Sequence, residues 1–315
     1  MKDSFNREID YLRISVTDLC NLRCTYCMPK EGVEKISHSQ ILTPERIKEI
    51  VEESAKLGIK KVRITGGEPL VRKGIIDIIK MIRSIPEIKE ICLTTNGVLL
   101  KEMAKDLYNA GLDRLNISLD TLNEEKYHRI TRVGELNKVL DGIEEAIKVG
   151  FKNTKINCVL IGGFNDDEIV DFEKFASKHS LIVRFIELMP IGEGLKMDNQ
   201  SFISNDVILS KIPGLELVKQ DDICSYYQVK GHKGMIGLIS PLSHMFCNKC
   251  SRLRLTSDGK LKPCLHSSLE LDTNGCSGPQ LEEIIKQAIL QKPKQHSLNE
   301  EGKSSSLRGM SKIGG

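Results

Sequence analysis

Three thiols fall within eight residues in Asp18-Leu19-Cys20-Asn21-Leu22-Arg23-Cys24-Thr25-Tyr26-Cys27-Met28-Pro29, spaced C-x3-C-x2-C. They stand too close to cross-link distant segments, but can converge on one metal centre. Thiolates suit zinc, copper and iron-sulfur clusters, and clusters are held by short cysteine runs of this kind. Three ligands on a four-iron cube leave one iron open, and an open metal position serves chemistry. A zinc knuckle completed by a residue elsewhere would use the same donors. A second set, Cys247-Asn248-Lys249-Cys250 followed after thirteen residues by Cys264, is one thiol short of a closed zinc ribbon. His266 or Cys276 could close it around structural zinc; left open, it would hold a second cluster whose free iron binds substrate. Cys92, Cys158 and Cys224 stand alone and are expected in the core.

Gly66-Gly67-Glu68-Pro69 offers backbone that can approach a ligand closely and a carboxylate that could meet an ammonium. Arg252 and Arg254, two residues apart, share a strand face and could reach one anion together.

These groups need elements to position them. Between residue 10 and about 190, strand-like runs (Tyr11 to Thr17, Ile59 to Thr65, Glu90 to Asn96, Arg114 to Leu119, Asn153 to Ile161, Leu181 to Leu188) alternate with amphipathic helical runs. The helices expected are Pro44 to Leu57, Gly74 to Arg83, Leu100 to Asn109, Leu136 to Lys148 and Asp166 to Lys178. Thr43-Pro44 opens the first with an N-cap and proline, and Gly58, Gly111 and Gly150 follow three of them as C-caps. Six βα units in a row imply a parallel sheet or barrel.

Parallel strands covered on both faces read as continuous apolar runs. These alternate: Leu12, Ile14 and Val16 oppose Tyr11, Arg13, Ser15 and Thr17, and the next four strands repeat the pattern. An antiparallel sheet with a wet face would also alternate, but the long helical connectors exclude hairpins. The reading that survives is an incomplete (β/α)6 TIM-like barrel with a polar lumen carrying Arg13, Lys61, Arg63, Lys155 and Arg184. Converging cations are costly to bury unless an anion such as a triphosphate compensates them; on surface strands they would simply be exposed. Ser118 and Asp120 end the fourth strand, at the rim where barrel enzymes place their sites. Arg184 and Met189 are an odd number apart, so one regular strand cannot turn both inward.

A domain boundary is expected near residue 190, giving a barrel over 1–190 and a smaller α+β domain over 191–291 with a hairpin turning at Ser257-Asp258-Gly259. The tail 292–315, rich in Lys, Ser and Gly, reads compositionally as disordered.

Composition narrows the function classes. The 315 residues hold 46 Lys and Arg against 43 Asp and Glu, so no global field favours nucleic acid. Six Tyr, eight Phe and no Trp leave few stacking platforms for single strands. No run approaches the ~18 apolar residues of a membrane span. Ten cysteines without an export signal point to metal or redox use in a reducing compartment, hence the cytoplasm.

C-x3-C-x2-C with Tyr26 before the last cysteine resembles the signature of radical S-adenosylmethionine (SAM) enzymes. VTDLCNLRCTYCMP, RITGGEPLVRK, TTNG, NISLDT, CNKCSRLRLTSDGKLKPCL and the terminal Gly-Gly together resemble the GTP 3',8-cyclases of molybdenum cofactor biosynthesis. The resemblance implies two [4Fe-4S] clusters, Cys20, Cys24 and Cys27 holding the SAM cluster and Cys247, Cys250 and Cys264 the auxiliary one. It implies SAM contacts from Tyr26, Gly67, Ser118 and Met189, with Gly66 and Glu68 of the same loop. GTP would meet Arg13, Arg63, Thr94, Lys155, Arg252 and Arg254, and the tail ending Gly314-Gly315 would reach into the active site, against the compositional reading. A 5'-deoxyadenosyl radical would take hydrogen from C3' of GTP before that carbon joins C8. The implied partners are a flavodoxin- or ferredoxin-type reductant and a downstream cyclic pyranopterin monophosphate synthase, with a homodimer as one assembly. A radical SAM peptide-modifying maturase and a zinc-stabilised binding protein are the alternatives. The first would need room for a peptide-binding domain before Cys20; the second would not need the GGEP loop.

Overall fold

The computed structural model describes every residue except 35, 297, 299–301 and 315. From Tyr11 onward the chain alternates strand and helix: β1 (Tyr11–Ser15), α1 (Pro44–Lys56), β2 (Lys61–Thr65), α2 (Ile75–Arg83), β3 (Glu90–Thr95), α3 (Leu100–Asn109), β4 (Arg114–Ser118), α4 (Glu124–Thr131), α5 (Leu136–Val149), β5 (Lys155–Leu160), α6 (Ile169–His179) and β6 (Ile182–Glu187). Thr43 Oγ1 accepts from Arg46 N at 3.2 Å, capping α1 with Pro44 in its first turn. Gly58, Gly111 and Gly150 take the left-handed backbone expected after three helices.

Strands β1 to β6 pair in parallel and in sequence order. Their apolar face, including Leu12, Ile14, Val62, Ile64, Leu93, Leu115, Ile156 and Phe185, is sealed beneath the helices in one core. Burial of that face supplies the main driving force, at roughly 25 cal/mol per Å² of apolar surface.

Residues beyond 190 build α7 (Asp206–Lys211), β7 (Leu215–Gln220), β8 (Ser225–Val229), β9 (Met235–Ile239), β10 (Arg252–Leu255), β11 (Lys260–Lys262), β12 (Leu271–Asp272) and α8 (Gly278–Leu290). Their strands make no separate sheet. β10 joins β1 in parallel and β9 joins β6 in parallel, while the hairpins β10–β11–β12 and β9–β8–β7 finish the two edges. The result is one open sheet of twelve strands, β12-β11-β10-β1-β2-β3-β4-β5-β6-β9-β8-β7. The C-terminal region thus widens the barrel on both sides and brings Arg252 and Arg254 beside Arg13. α8 buries Leu281, Ile285, Ala288 and Ile289 in the shared core.

The compositional reading of the tail as disordered fails for its described residues. Arg308 forms ion pairs with Asp258 (2.9 Å) and Glu270 (2.7 Å), a helical turn Met310–Ile313 follows, and Ile313 is buried. Low complexity misleads here because a few long-range charge pairs, invisible to local composition, hold the segment.

Candidate active site

The cysteine loop leaves the C-terminal end of β1 and is fastened on all sides. Cys27 N and Met28 N donate to Cys24 O at 3.0 and 3.1 Å, turning the last two cysteines back toward each other. Arg23 Nη1 ties Cys20 O and Leu22 O, and Arg132 Nη1 ties Arg23 O and Met28 O. Leu22 N (3.4 Å) and Asn96 Nδ2 (3.8 Å) both donate to Cys20 Sγ. N–H groups aimed at sulfur stabilise a thiolate that ligates metal. Burial pushes the Cys20 thiol up to about 11 and that of Cys27 to about 12, and raises Cys24 as well, with repulsion among the three adding to it for Cys24 and Cys27. Such thiols release their protons only to a cation, which couples metal uptake to deprotonation.

Gly66 and Gly67 press the next loop onto this one: a Cβ on either would lie 2.5 Å from the carbonyl oxygen of Thr17 or Leu19 respectively. Gly67 N and Glu68 N donate to those carbonyls. Glu68 is held in place by its own loop and by the end of β3. Its buried carboxylate accepts from Leu70 N, Thr95 Oγ1 and Asn96 N, locking the GGEP loop to the end of β3, while burial pushes it up to about 7. Glu68→Ala orphans three donors and is expected to cost about 3 kcal/mol in stability. Urea unfolding of the cluster-free chain measures it, and a change below about 1 kcal/mol would contradict the role.

Tyr26 donates to Asp120 Oδ2 (2.7 Å), whose other oxygen accepts from Val159 N (2.8 Å). Burial pushes Asp120 up to about 6. Asp120 therefore anchors the cysteine loop to β5. Ser118, partly buried, ends β4 beside it. β6 stops at Glu187, so the alternation never reaches Met189; Arg184 turns into the lumen and Met189 belongs to the following loop, where a Cβ on Gly194 would touch Met189 O.

The lumen face is polar, and most of its guanidiniums are buried. Arg254, Arg13 and Arg63 stand in one register row across β10, β1 and β2. Arg63 donates to Tyr11 Oη and to Thr94 Oγ1 (3.3 Å), and Arg184 Nε to Asn157 Oδ1 (3.0 Å). Asn116, oriented with its oxygen toward them, accepts from both Arg63 and Arg184 at 2.6 Å. Arg63, Arg184 and Arg254 are 7, 6 and 5% exposed, and among the described residues none has a carboxylate partner. Burial and the neighbouring Arg254 disfavour the charged form of Arg13, and burial with Arg252 lowers Arg254 to about 10. The surface-strand alternative fails for Arg63, Arg184 and Arg254, which are inside and bonded to neutral acceptors. Lys155 donates to Tyr226 Oη (3.1 Å); burial and Arg184 bring it down to about 8. Lys61 lies on the same face but at the opening end of β2, already paired with Glu90 at 2.6 Å.

The tail completes the lumen. Gly314 O accepts from Arg13 Nη2 and Arg254 Nη1, each at 3.0 Å, and Arg254 also reaches Ile313 O. Gly315 lies outside the described residues. A Cβ on Gly309 would lie 4.0 Å from Cys27 O, so the tail passes close to the cysteine loop as well.

The second cysteine set flanks β10. Cys247 and Cys250 precede it and Cys264 follows β11, all partly exposed, with Arg252 stacked over Phe246 (5.5 Å). Burial would raise the Cys250 thiol, yet Lys292 and Arg252 bring it down to about 7. Among the described residues no three His, Cys, Asp or Glu side chains stand at metal-binding distance of one point, the cysteine sets included. Fit rests instead on donor type, shared loops and the donors aimed at sulfur. A fourth zinc ligand is not offered: His266 faces Ser304 and His296, and Cys276 faces Asn274 O. Cys92, Cys158 and Cys224 are buried core residues as expected, Cys92 lying beside Glu90 and Arg63. Sequence reasoning missed Arg7, Arg23, Arg132, Lys292 and Arg308, lone basic residues whose carbonyl and carboxylate partners carry no local signal.

A model described as the Radical SAM superfamily matches residues 14–176, and one described as Molybdenum Cofactor Synthesis C matches residues 181–298. Over 320 residues the chain is 52% identical to a protein of Alkaliphilus oremlandii named GTP 3',8-cyclase, with all of both chains covered. A protein of that name from Thermodesulfovibrio yellowstonii is 48% identical over 327 residues, again with full coverage of both. In fold the chain is similar to the crystal structure of Streptococcus suis SuiB bound to S-adenosylmethionine, with a TM-score of 0.63, 14% identity, and 94% of this chain and 67% of that one covered.

Proposed function

The chain belongs to the radical SAM superfamily and within it to the GTP 3',8-cyclases, which begin molybdenum cofactor biosynthesis, and we propose that its polar lumen is where GTP is held for that reaction. The observation that carries this reading is the set of buried guanidiniums without carboxylate partners. Arg63, Arg184 and Arg254 leave a positive interior that a triphosphate neutralises, and a buried cation gains most from such a partner.

When bound, the first cluster and SAM supply a 5'-deoxyadenosyl radical that removes hydrogen from C3' of GTP so that this carbon can join C8. Cys20, Cys24 and Cys27 would ligate that cluster, and Cys247, Cys250 and Cys264 the auxiliary one. Tyr26, Gly66, Gly67, Ser118 and Met189 line the way to SAM, with Glu68 shaping the loop from behind. Arg13, Arg63, Thr94, Lys155, Arg184, Arg252 and Arg254 grip the nucleotide, and Lys61 joins them only by releasing Glu90. Gly314 O, held by Arg13 and Arg254, closes the lumen against water and gives these two guanidiniums a fixed geometry before substrate arrives. Family membership further supports a flavodoxin- or ferredoxin-type reductant, hand-over to cyclic pyranopterin monophosphate synthase, a homodimer and a cytoplasmic location. Among the described residues no helix is long and apolar enough to cross a membrane.

Lys155 gives the site a pH signature. Its ammonium, at about 8 in the free protein, is raised by a bound triphosphate, so GTP affinity is full below that value and falls as pH rises through it. Tyr11 works in the same direction: burial raises it, but Arg63 and Arg13 bring it to about 8, and its phenolate would repel phosphate. GTP binding at pH 7 and pH 9 should differ by roughly tenfold, with the difference reduced in Lys155→Met; equal affinities would refute the placement of the triphosphate.

The reading is tested by anaerobic reconstitution followed by dithionite, SAM and GTP. About eight irons per chain and GTP-dependent 5'-deoxyadenosine are expected. Stoichiometric zinc with intact SAM would overturn it.

A further inference from the structure

Lys292 is a lysine with nowhere to put its charge except against the second cysteine set. It is 3% exposed. Its ammonium donates to Arg252 O and to Pro263 O, both at 2.8 Å. The first carbonyl lies two residues beyond Cys250 and the second belongs to the residue before Cys264. Two of its three donors are thus spent on the walls of one pocket, and its charge acts on the Cys250 sulfur in that pocket. Arg7 fixes the same stretch from the other side, bonding Cys247 O, Lys294 O and Pro293 O, with its charge balanced by Asp3 at 2.7 Å. Lys292 has no carboxylate among the described residues.

We infer that Lys292 is a positioning residue for the auxiliary cluster, the fixed cation that clasps the Cys250 loop to the Cys264 loop and biases the cluster toward its reduced state. Three thiolates around a four-iron core make a net anionic centre, and reduction adds one more negative charge. A buried ammonium held beside the ligand loops stabilises the more negative state. Arg252 packs over Phe246, whereas Lys292 is buried against the carbonyls of Arg252 and Pro263.

The inference rests on the assignment of Cys247, Cys250 and Cys264 to a cluster, and wild-type iron content tests that assignment separately: about eight irons per chain with it, about four without. Given eight, the holoenzyme is titrated with reductant under electron paramagnetic resonance, and the step missing from Cys264→Ser is taken as the auxiliary cluster. Lys292→Gln keeps donors for the two carbonyls but loses the charge; Lys292→Arg keeps the charge. In Lys292→Gln the oxidised-to-reduced ratio of the auxiliary step at fixed poise should rise at least tenfold, about 59 mV for one electron, with the first cluster unmoved. Lys292→Arg should return most of that shift. Loss of the auxiliary cluster in Lys292→Gln with retention in Lys292→Arg would also support the charge's role. An unmoved auxiliary step in Lys292→Gln would overturn the inference, as would equal shifts, or equal loss of iron, in both variants, since these would leave the lysine only its shape.

Discussion

Gly314→Val should reduce GTP conversion more than about a hundredfold, the scale seen when positioned electrostatic groups are lost from an active site, while iron content and SAM binding stay near normal. Gly314 sits at φ 67°, and a Cβ there would lie 2.1 Å from Thr65 Oγ1. Thr65 cannot withdraw easily, because its hydroxyl is bonded to Ile14 O in the neighbouring strand. The end of the tail must therefore leave, and with it the acceptor shared by Arg13 and Arg254. The rest of the tail keeps its anchors, Arg308 on Asp258 and Glu270 and Ser304 N on Pro190 O, so the defect should be local. Turnover alongside circular dichroism reads both; normal turnover would show that the arginines need no help from the tail.

Loss of the second cluster should have as large an effect with a different signature. In Cys264→Ala the chain should retain about four irons of about eight and still cleave SAM, while GTP conversion is abolished. The two cysteine sets are built on opposite supports, the first after β1 under Arg23 and Arg132, the second around β10 under Lys292 and Arg7. Damage to one therefore need not disturb the other. Intact GTP conversion by this variant would remove the auxiliary cluster from the account.

The barrel was largely legible because its signal is periodic. Alternation at Leu12, Ile14, Val62 and Ile64 against Arg13 and Arg63 placed the core on one face and the lumen on the other, and the structure keeps that division. The cysteine spacings, being local, were equally readable. Three of the helices α1 to α8 escaped, although Asn123 before Glu124 and Glu125 and Ser277-Gly278-Pro279 were start signals; α4 interrupts the strand-helix rhythm, α7 is only six residues long, and α8 follows a region read as strand and turn. The joining of β9 and β10 to the barrel's edges could not be read at all, since pairing between Arg13 and Arg254 is a contact across most of the chain. The same distance hid the clasp of Lys292 and turned the tail's polar composition into a false sign of disorder. The three donors that hold Glu68 were hidden for the same reason, since two of them come from the end of β3.

The most direct test of the central claim follows one atom. Reconstituted protein is incubated anaerobically with dithionite, SAM and GTP deuterated at C3', and the 5'-deoxyadenosine is weighed. The account requires that nucleoside to gain one mass unit, and to stay unlabelled when the deuterium is placed at C8 instead. Unlabelled 5'-deoxyadenosine from C3'-deuterated GTP would mean that the lumen does not present the ribose for hydrogen abstraction, and the placement of GTP among Arg13, Arg63, Arg184 and Arg254 would be wrong.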